Sequence, residues 1–236
     1  MSKFKEIANT KNHDEYKNNQ DIFSHTADES SSQNMVDSYL VLLYKIIGFN
    51  LASNNKCIDV GCGAGYIAGA FNRVKINMDA LEYSDDAIKI LKENNSSLNI
   101  IQGDMLKFKE DNKYDLIFSR EVYLITRVNS FTEQYQVISN MIDSLKPGGV
   151  FMLVGSDISF PHCMDYNLMI NIYRKDDRLC LVSEKYYEVI FNKLHKYIFN
   201  KLSYKVLKLI FFPLIWYKKK YKKWASQYII VFKKKK

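Results

Sequence analysis

The stretch 56–66, with the sequence KCIDVGCGAGY, constrains the fold of this chain more than any other feature. Its first half is an apolar run that contains one acid, which predicts a short buried strand. Gly61, Gly63 and Gly65 then alternate with small residues, so the backbone can turn sharply and leave bare main chain open to a ligand. Small and apolar residues follow and predict a helix that packs close to the strand. The first turn of such a helix offers unpaired N–H groups, which suit an anionic or carboxylate-bearing ligand.

The glycine spacing narrows the kind of loop. Loops that bind dinucleotides carry G-x-G-x-x-G, because the backbone must approach a pyrophosphate. This chain has G-x-G-x-G instead, with Asp59 two residues before the first glycine. An acid followed by G-x-G-x-G resembles the first motif of the class I S-adenosylmethionine-dependent methyltransferases. Taken alone, the same residues also allow a tight strand-to-helix turn that binds nothing.

Acids after the next two predicted strands extend the resemblance. The second predicted strand, 76–82, ends at Glu82, whose carboxylate could accept two hydrogen bonds from a ribose diol. The third is followed by Gly103, Asp104 and Met105, and in the resembled family such an acid meets the adenine amino group while the next residue lies against the ring. The alternative for each acid is an ordinary strand end or turn. The resemblance implies that S-adenosylmethionine is bound, with S-adenosylhomocysteine as product, by Asp59, Gly61, Cys62, Gly63, Gly65, Glu82, Tyr83, Gly103, Asp104, Met105 and Ser119.

Candidate catalytic residues follow the fourth predicted strand, 113–119, which in the resembled family ends beside the methyl group. Many relatives that methylate small molecules carry a histidine in the next loop, and this chain has none there. Arg120 and Glu121 are candidates for an orienting group or a base, the alternative being an exposed ion pair. His162 is the best histidine candidate for a proton acceptor, although lone histidines in loops are usually surface residues.

The remaining pattern predicts an α/β fold: a doubly wound, seven-stranded, Rossmann-like sheet with helices on both faces and the last strand antiparallel. Leu-Lys-Pro-Gly-Gly, which ends at residue 149, predicts a turn before the fifth strand and is also recurrent in the resembled family. Ser183 is predicted to cap a helix over 184–202. The sixth and seventh strands are predicted at 203–212 and 227–232.

The predicted organisation is one methyltransferase domain preceded by a cap. Residues 1–50, which end with a helix closed by Gly48, are expected to form an N-terminal lid or cap segment over the pocket. Residues 51–236 are expected to form the methyltransferase domain, with a substrate-binding insertion around 156–182. At 236 residues the chain is long enough to bury one substantial core.

Composition limits the compartment and the partners. The four cysteines show neither metal-ligand spacing nor a disulfide framework, so no metal is predicted and a reducing cytoplasm is the expected location. No signal peptide is recognised at the start, and the apolar run 209–217 falls short of the roughly 20 residues that span a bilayer. The net charge of +8 comes largely from lysines at 218–223 and 233–236. Those lysines form either a solvated tail or a surface that attracts a phosphorylated substrate, a nucleic acid or an anionic membrane.

The predicted function is an S-adenosylmethionine-dependent methyltransferase, an enzyme that methylates an oxygen of a small polar metabolite. An anionic acceptor is considered, either phosphorylated or saccharide-linked, because of the lysines. Ser119–Val122 stands where enzymes that methylate exocyclic amines carry an Asn-Pro-Pro-Tyr type of motif. The alternatives are an RNA or tRNA methyltransferase that uses the basic aromatic segment 213–225, a non-catalytic S-adenosylmethionine-binding module, and peripheral attachment to a membrane. Nucleic acid is the less favoured partner, and the sequence carries no signal for the oligomeric state.

Overall fold

The computed structural model describes residues 29–95, 97–126, 131–156, 173–187 and 227–236, and the following statements concern those residues. They contain one seven-stranded sheet with the strand order β3-β2-β1-β4-β5-β7-β6. The strands are β1 Cys57–Val60, β2 Met78–Glu82, β3 Ile100–Gln102, β4 Tyr114–Arg120, β5 Leu145–Ser156, β6 Leu179–Tyr187 and β7 Gln227–Lys234. Strands β1 to β5 pair in parallel, whereas β7 is antiparallel to both of its neighbours, β5 and β6. The predicted seven-stranded sheet with an antiparallel last strand is confirmed.

Helices cover both faces of the sheet, as predicted. They are α1 Glu29–Val41, which continues as a π-helix over Leu42–Ile47, then α2 Tyr66–Arg73, α3 Asp85–Asn94, α4 Tyr123–Thr126 and α5 Phe131–Ser144. Successive strand residues point to opposite faces. Ile117 and Phe151 therefore pack with α4 and α5 in one buried cluster, while Phe118 and Met152 pack with α1 and α2 in the other. Because both faces are buried, the parallel strands are apolar almost throughout.

The α1 helix is part of the second buried cluster. Val36, Tyr39 and Leu43 are almost fully buried there. The ring centroids of Tyr39 and Phe118 lie 5.2 Å apart, so α1 packs directly on the centre of the sheet. The proposed division of the chain at residue 50 stays a prediction.

Local signals explain two further elements. Ser84 Oγ accepts a hydrogen bond from Ala87 N at 3.3 Å, and this is the predicted cap of α3. The predicted Pro-Gly-Gly turn is incorporated into β5, which begins at Leu145 and whose register against β4 shifts near its start. Gly148 has φ +80° there, a left-handed conformation that glycine adopts at little cost.

The helix predicted after Ser183 is wrong over its first residues, because 183–187 belong to β6. β6 pairs with β7 along its length, from Leu179 opposite Lys234 to Tyr187 opposite Gln227. A short apolar run does not distinguish a helix from a strand by itself, and the long-range pairing decides it. Residues 188–202 and the predicted strand 203–212 lie outside the described residues, so Leu179–Tyr187 supplies the sixth strand in chain order.

Candidate active site

The carboxyl ends of β1 to β4 meet at one edge of the sheet, because these strands are parallel and adjacent. Asp59 pairs with Ala80 on β2 and with Phe118 on β4, so it lies between the ends of both strands. Glu82 is the last residue of β2, and Arg120 is the last residue of β4. The predicted acids and the predicted catalytic loop are therefore neighbours.

The glycine loop has the backbone conformation that its composition predicts. Gly61, Gly63 and Gly65 have φ values of +71°, +56° and +77°. A Cβ on Gly61 would lie 2.6 Å from Val122 Cγ2, and one on Gly65 would collide with the Leu91 side chain. The left-handed φ favours glycine at both positions, and a side chain there would also displace the ends of the Val122 and Leu91 side chains.

The Glu82 carboxylate joins the end of β2 to this loop. Its Oε2 accepts a hydrogen bond from Gly63 N at 2.8 Å, and its Oε1 accepts from Tyr83 N and Ser84 N, both at 2.8 Å. The side chain is buried. The carboxylate thereby fastens the glycine loop to the start of α3.

Asp104 begins the turn that follows β3. Its Oδ1 accepts from Leu106 N at 2.9 Å, and its backbone oxygen accepts from Lys107 N and Phe108 N. Asn140 on α5 supports the same turn, because its Nδ2 donates to Leu106 O at 2.9 Å. Asn140 was not singled out from the sequence, since nothing in a helical pattern indicates a contact with a distant turn. The Met105 side chain is buried in the core beside the glycine loop.

Asp59 is buried and has a strongly perturbed acidity. Burial, and next the neighbouring Glu82, raise its pKa to about 8, whereas the Arg120 guanidinium opposes the rise. The carboxyl group is therefore mostly protonated at neutral pH. A cation placed nearby would favour its ionised form. The thiol of Cys62, in the same loop, has its pKa raised by burial and by Glu82 and Asp59, so it is not a reactive thiolate.

The end of β4 combines strain with unpaired polar groups. Glu121 has φ +55°, a left-handed conformation that costs a non-glycine residue on the order of 1–3 kcal/mol and is concentrated at functional sites. Its backbone N donates to Val154 O at 2.9 Å, which fixes this conformation against β5. Ser119 Oγ and Arg120 Nε are buried without a hydrogen-bond partner. Arg120 forms no ion pair among the described residues, so the exposed ion pair that the sequence allowed is not formed there.

Two predicted features fall outside the described residues: His162 and the basic aromatic segment 213–225. Within the described part of the chain, no group of His, Cys, Asp and Glu side chains could hold a metal ion. No helix in that part is long and apolar enough to cross a membrane.

The structure is that of an α/β protein whose candidate site lies at the carboxyl ends of its parallel strands. The family model described as a methyltransferase domain matches residues 51–225. The chain belongs to this family, the class I S-adenosylmethionine-dependent methyltransferases.

Similar proteins agree with this family. The chain is 28% identical over 109 residues to the ubiquinone biosynthesis O-methyltransferase of Rickettsia canadensis, covering 44% of each protein. It is 32% identical over 111 residues to malonyl-[acyl-carrier protein] O-methyltransferase 2 of Ilyobacter polytropus, covering 44% of this chain and 40% of the relative. The matches thus span less than half of these relatives. The structure of the N-methyltransferase NodS from Bradyrhizobium japonicum WM9 in complex with S-adenosyl-L-homocysteine has the same fold, with a TM-score of 0.57, 14% identity, and coverage of 86% of this chain and 88% of NodS.

Proposed function

We propose that this protein transfers the methyl group of S-adenosylmethionine to an oxygen atom of a small polar molecule. The observation that carries the proposal is the Glu82 carboxylate, which is bonded to Gly63 at the edge where Asp104 and the end of β4 also lie. Similarity to proteins named O-methyltransferases supports oxygen as the acceptor atom.

Two acids and the glycine loop are the groups that would bind S-adenosylmethionine. Glu82 would accept hydrogen bonds from the ribose, Asp104 from the adenine amino group, and the glycine loop would present main chain to the amino-acid part. When bound, the donor supplies a methyl group on a positively charged sulfur. The protein is left to position the acceptor and to remove its proton.

Glu121 is the residue that we assign to the acceptor's proton. It follows β4 directly, and its strained backbone fixes the direction in which its side chain leaves the sheet. Arg120 would orient the acceptor. His162 is the second candidate for the base, and a reducing cytoplasm remains the predicted location.

The experiment uses donor labelled in its methyl group and a fractionated metabolite extract. Label is expected in a small molecule, and Glu121→Gln should lower the transfer rate by about 10²–10⁴-fold, the usual contribution of a general base. Binding of S-adenosylhomocysteine, measured by calorimetry, should change by less than about threefold because the carboxamide keeps the size of the side chain. The control is Glu133→Gln on the exposed first turn of α5. Label that appears only in RNA or protein would contradict the proposal.

The RNA methyltransferase alternative rests on the lysines, and part of that basic run has a structural role. Lys234 Nζ donates to Asn112 Oδ1 at 3.0 Å, to Asp143 O at 3.1 Å and to Leu145 O at 2.8 Å. Lys234 therefore closes the end of α5 and is not available to a phosphate backbone.

A further inference from the structure

Two hydrogen-bond donors at the carboxyl end of β4 are buried without partners: Tyr39 Oη on α1 and Arg120 Nε. Buried polar groups in folded proteins are nearly always paired, with protein, water or a ligand, so these two donors are available to an acceptor from outside the described residues. Ser119 Oγ is also unpaired but points to the other face of the sheet. The remaining unpaired atom among the described residues, Tyr114 Oη, lies at the opposite end of β4.

Tyr39 and Arg120 lie on the same face of the sheet. Phe118 and Arg120 are two residues apart on β4, so their side chains point to the same face of the sheet. The Tyr39 ring packs on Phe118. Burial raises the pKa of Tyr39, while the nearby Arg120 guanidinium opposes the rise. The tyrosine is therefore a neutral hydroxyl at any ordinary pH and can donate. Tyr39 Oη and Arg120 Nε are close enough to interact, but neither has a hydrogen-bond partner of good geometry, so both can donate to a ligand.

Arg120 forms no ion pair among the described residues. Asp59 interacts with it electrostatically, and the burial that raises the pKa of Asp59 disfavours the ionised form of that carboxyl. Glu121 also lies within electrostatic range of Tyr39. Charges that are buried in proteins are normally paired, so a half-buried guanidinium without an ion pair favours an anionic ligand.

We propose that Arg120 and Tyr39 form a binding site for a carboxylate group of the methyl acceptor. This deepens the proposed function and rests on it. The planar guanidinium can donate two parallel hydrogen bonds to a carboxylate, and the tyrosine hydroxyl can add a third. The acceptor is accordingly a small hydroxy-carboxylic acid or a dicarboxylic acid.

The position of Arg120 in the sheet favours the acceptor over the donor as the source of the carboxylate. Glu82 and Asp104 follow β2 and β3, whereas Arg120 is on β4 and pairs with Val154 of β5. β4 lies on the side of β1 away from β2 and β3, so Arg120 is beyond the glycine loop that would take the amino-acid part of the donor. The donor also carries a positive sulfur, which a guanidinium repels, while an anionic acceptor beside that sulfur is attracted by both cations.

The test titrates acetate and benzoate, two simple carboxylates, into the protein saturated with S-adenosylhomocysteine, followed by calorimetry and NMR. Saturable binding with a millimolar dissociation constant is expected. Arg120→Met should weaken it by about tenfold or more, because hydrogen bonds to charged groups contribute about 1.5–3 kcal/mol. Arg120→Lys should restore only part of it, and Tyr39→Phe should weaken it by about fivefold. The control is Arg73→Met, which removes an exposed guanidinium from the last turn of α2.

Three results bear on the proposal separately from the methyltransferase assignment. Carboxylate binding that is absent, or equal in the wild type and Arg120→Met, overturns it. If Arg120 bound the carboxylate of the donor instead, Arg120→Met would lower the affinity for S-adenosylhomocysteine but not for 5′-methylthioadenosine, which lacks the amino-acid part. That result overturns the proposal too. If S-adenosylhomocysteine fails to bind the wild type, the proposed function fails, while the same titration without it still measures the Arg120–Tyr39 site.

Discussion

Gly63 N donates a hydrogen bond to Glu82 Oε2 at 2.8 Å, and this bond fastens the glycine loop to the end of the neighbouring strand β2. The carboxylate therefore holds the loop, and in the proposed function it also binds the ribose. Substitution at Glu82 should affect the loop and the ligand together.

Glu82→Gln replaces one acceptor oxygen by an amide that donates. Because Oε2 accepts from one backbone N–H group and Oε1 from two, the amide nitrogen costs one of these bonds in the first position and two in the second. We expect the affinity for S-adenosylhomocysteine to fall by about tenfold or more, measured by calorimetry. Asp86→Asn, in the first turn of α3, is the matched control and should leave the affinity unchanged. Equal affinities for all three proteins would exclude Glu82 from the donor site.

Asp59 should make the empty protein less stable as the pH rises. Its folded pKa of about 8 lies above the ordinary value of 3.8, so the folded chain binds more protons than the unfolded chain between these two values. The stabilisation is complete below about pH 4 and is lost as the pH rises through about 8. Asp59→Asn should remove this component, so its melting temperature should gain on that of the wild type as the pH is raised. Parallel pH profiles for the two proteins would refute the assignment.

The variant Glu121→Gly tests the backbone strain at residue 121 separately from the role of its carboxylate in methyl transfer. Glycine tolerates φ +55°, so the variant should be more stable by about 1 kcal/mol in urea denaturation. The same variant should lose methyl transfer, because the carboxylate is gone. Glu121→Ala keeps the strain and should be equally inactive without the gain in stability. An active Glu121→Gly protein would show that the carboxylate is dispensable.

Lys234→Met should weaken the fold without touching the site. Loss of the ammonium leaves Asp143 O and Leu145 O without this donor, at a cost of about 1–3 kcal/mol in the free energy of unfolding. Affinity for S-adenosylhomocysteine should stay unchanged. Lys233→Met, at the exposed neighbouring position, should alter neither quantity.

The sequence predicted the elements whose signals are local. Alternating glycines after an apolar run predicted the loop, and Ser84 before two acids predicted the start of α3, because both depend only on nearby residues. The position of Glu82 beside the glycine loop could be predicted because a strand–helix–strand unit returns to the same edge of the sheet after a short, regular number of residues.

The elements that were missed depend on distant partners. β6 is a strand because Gln227–Lys234 pairs with it, and its own apolar spacing suits a helix equally well. In the sequence, Tyr39 is only one apolar position of the helix that precedes Gly48. Its hydroxyl has a possible function only because Arg120, on a strand far along the chain, ends beside it.

The strand order has a consequence for synthesis on the ribosome. β5 and β6 make no strand pairing with each other, since β7 lies between them. Residues 188–226 are translated after β6 and before β7, and during that time the apolar edge of β5 has no partner on that side. An unpaired apolar strand edge is a site of aggregation. The sheet is therefore completed only when β7 enters between two strands that were made earlier, and until then the edge of β5 is a point at which nascent chains can associate.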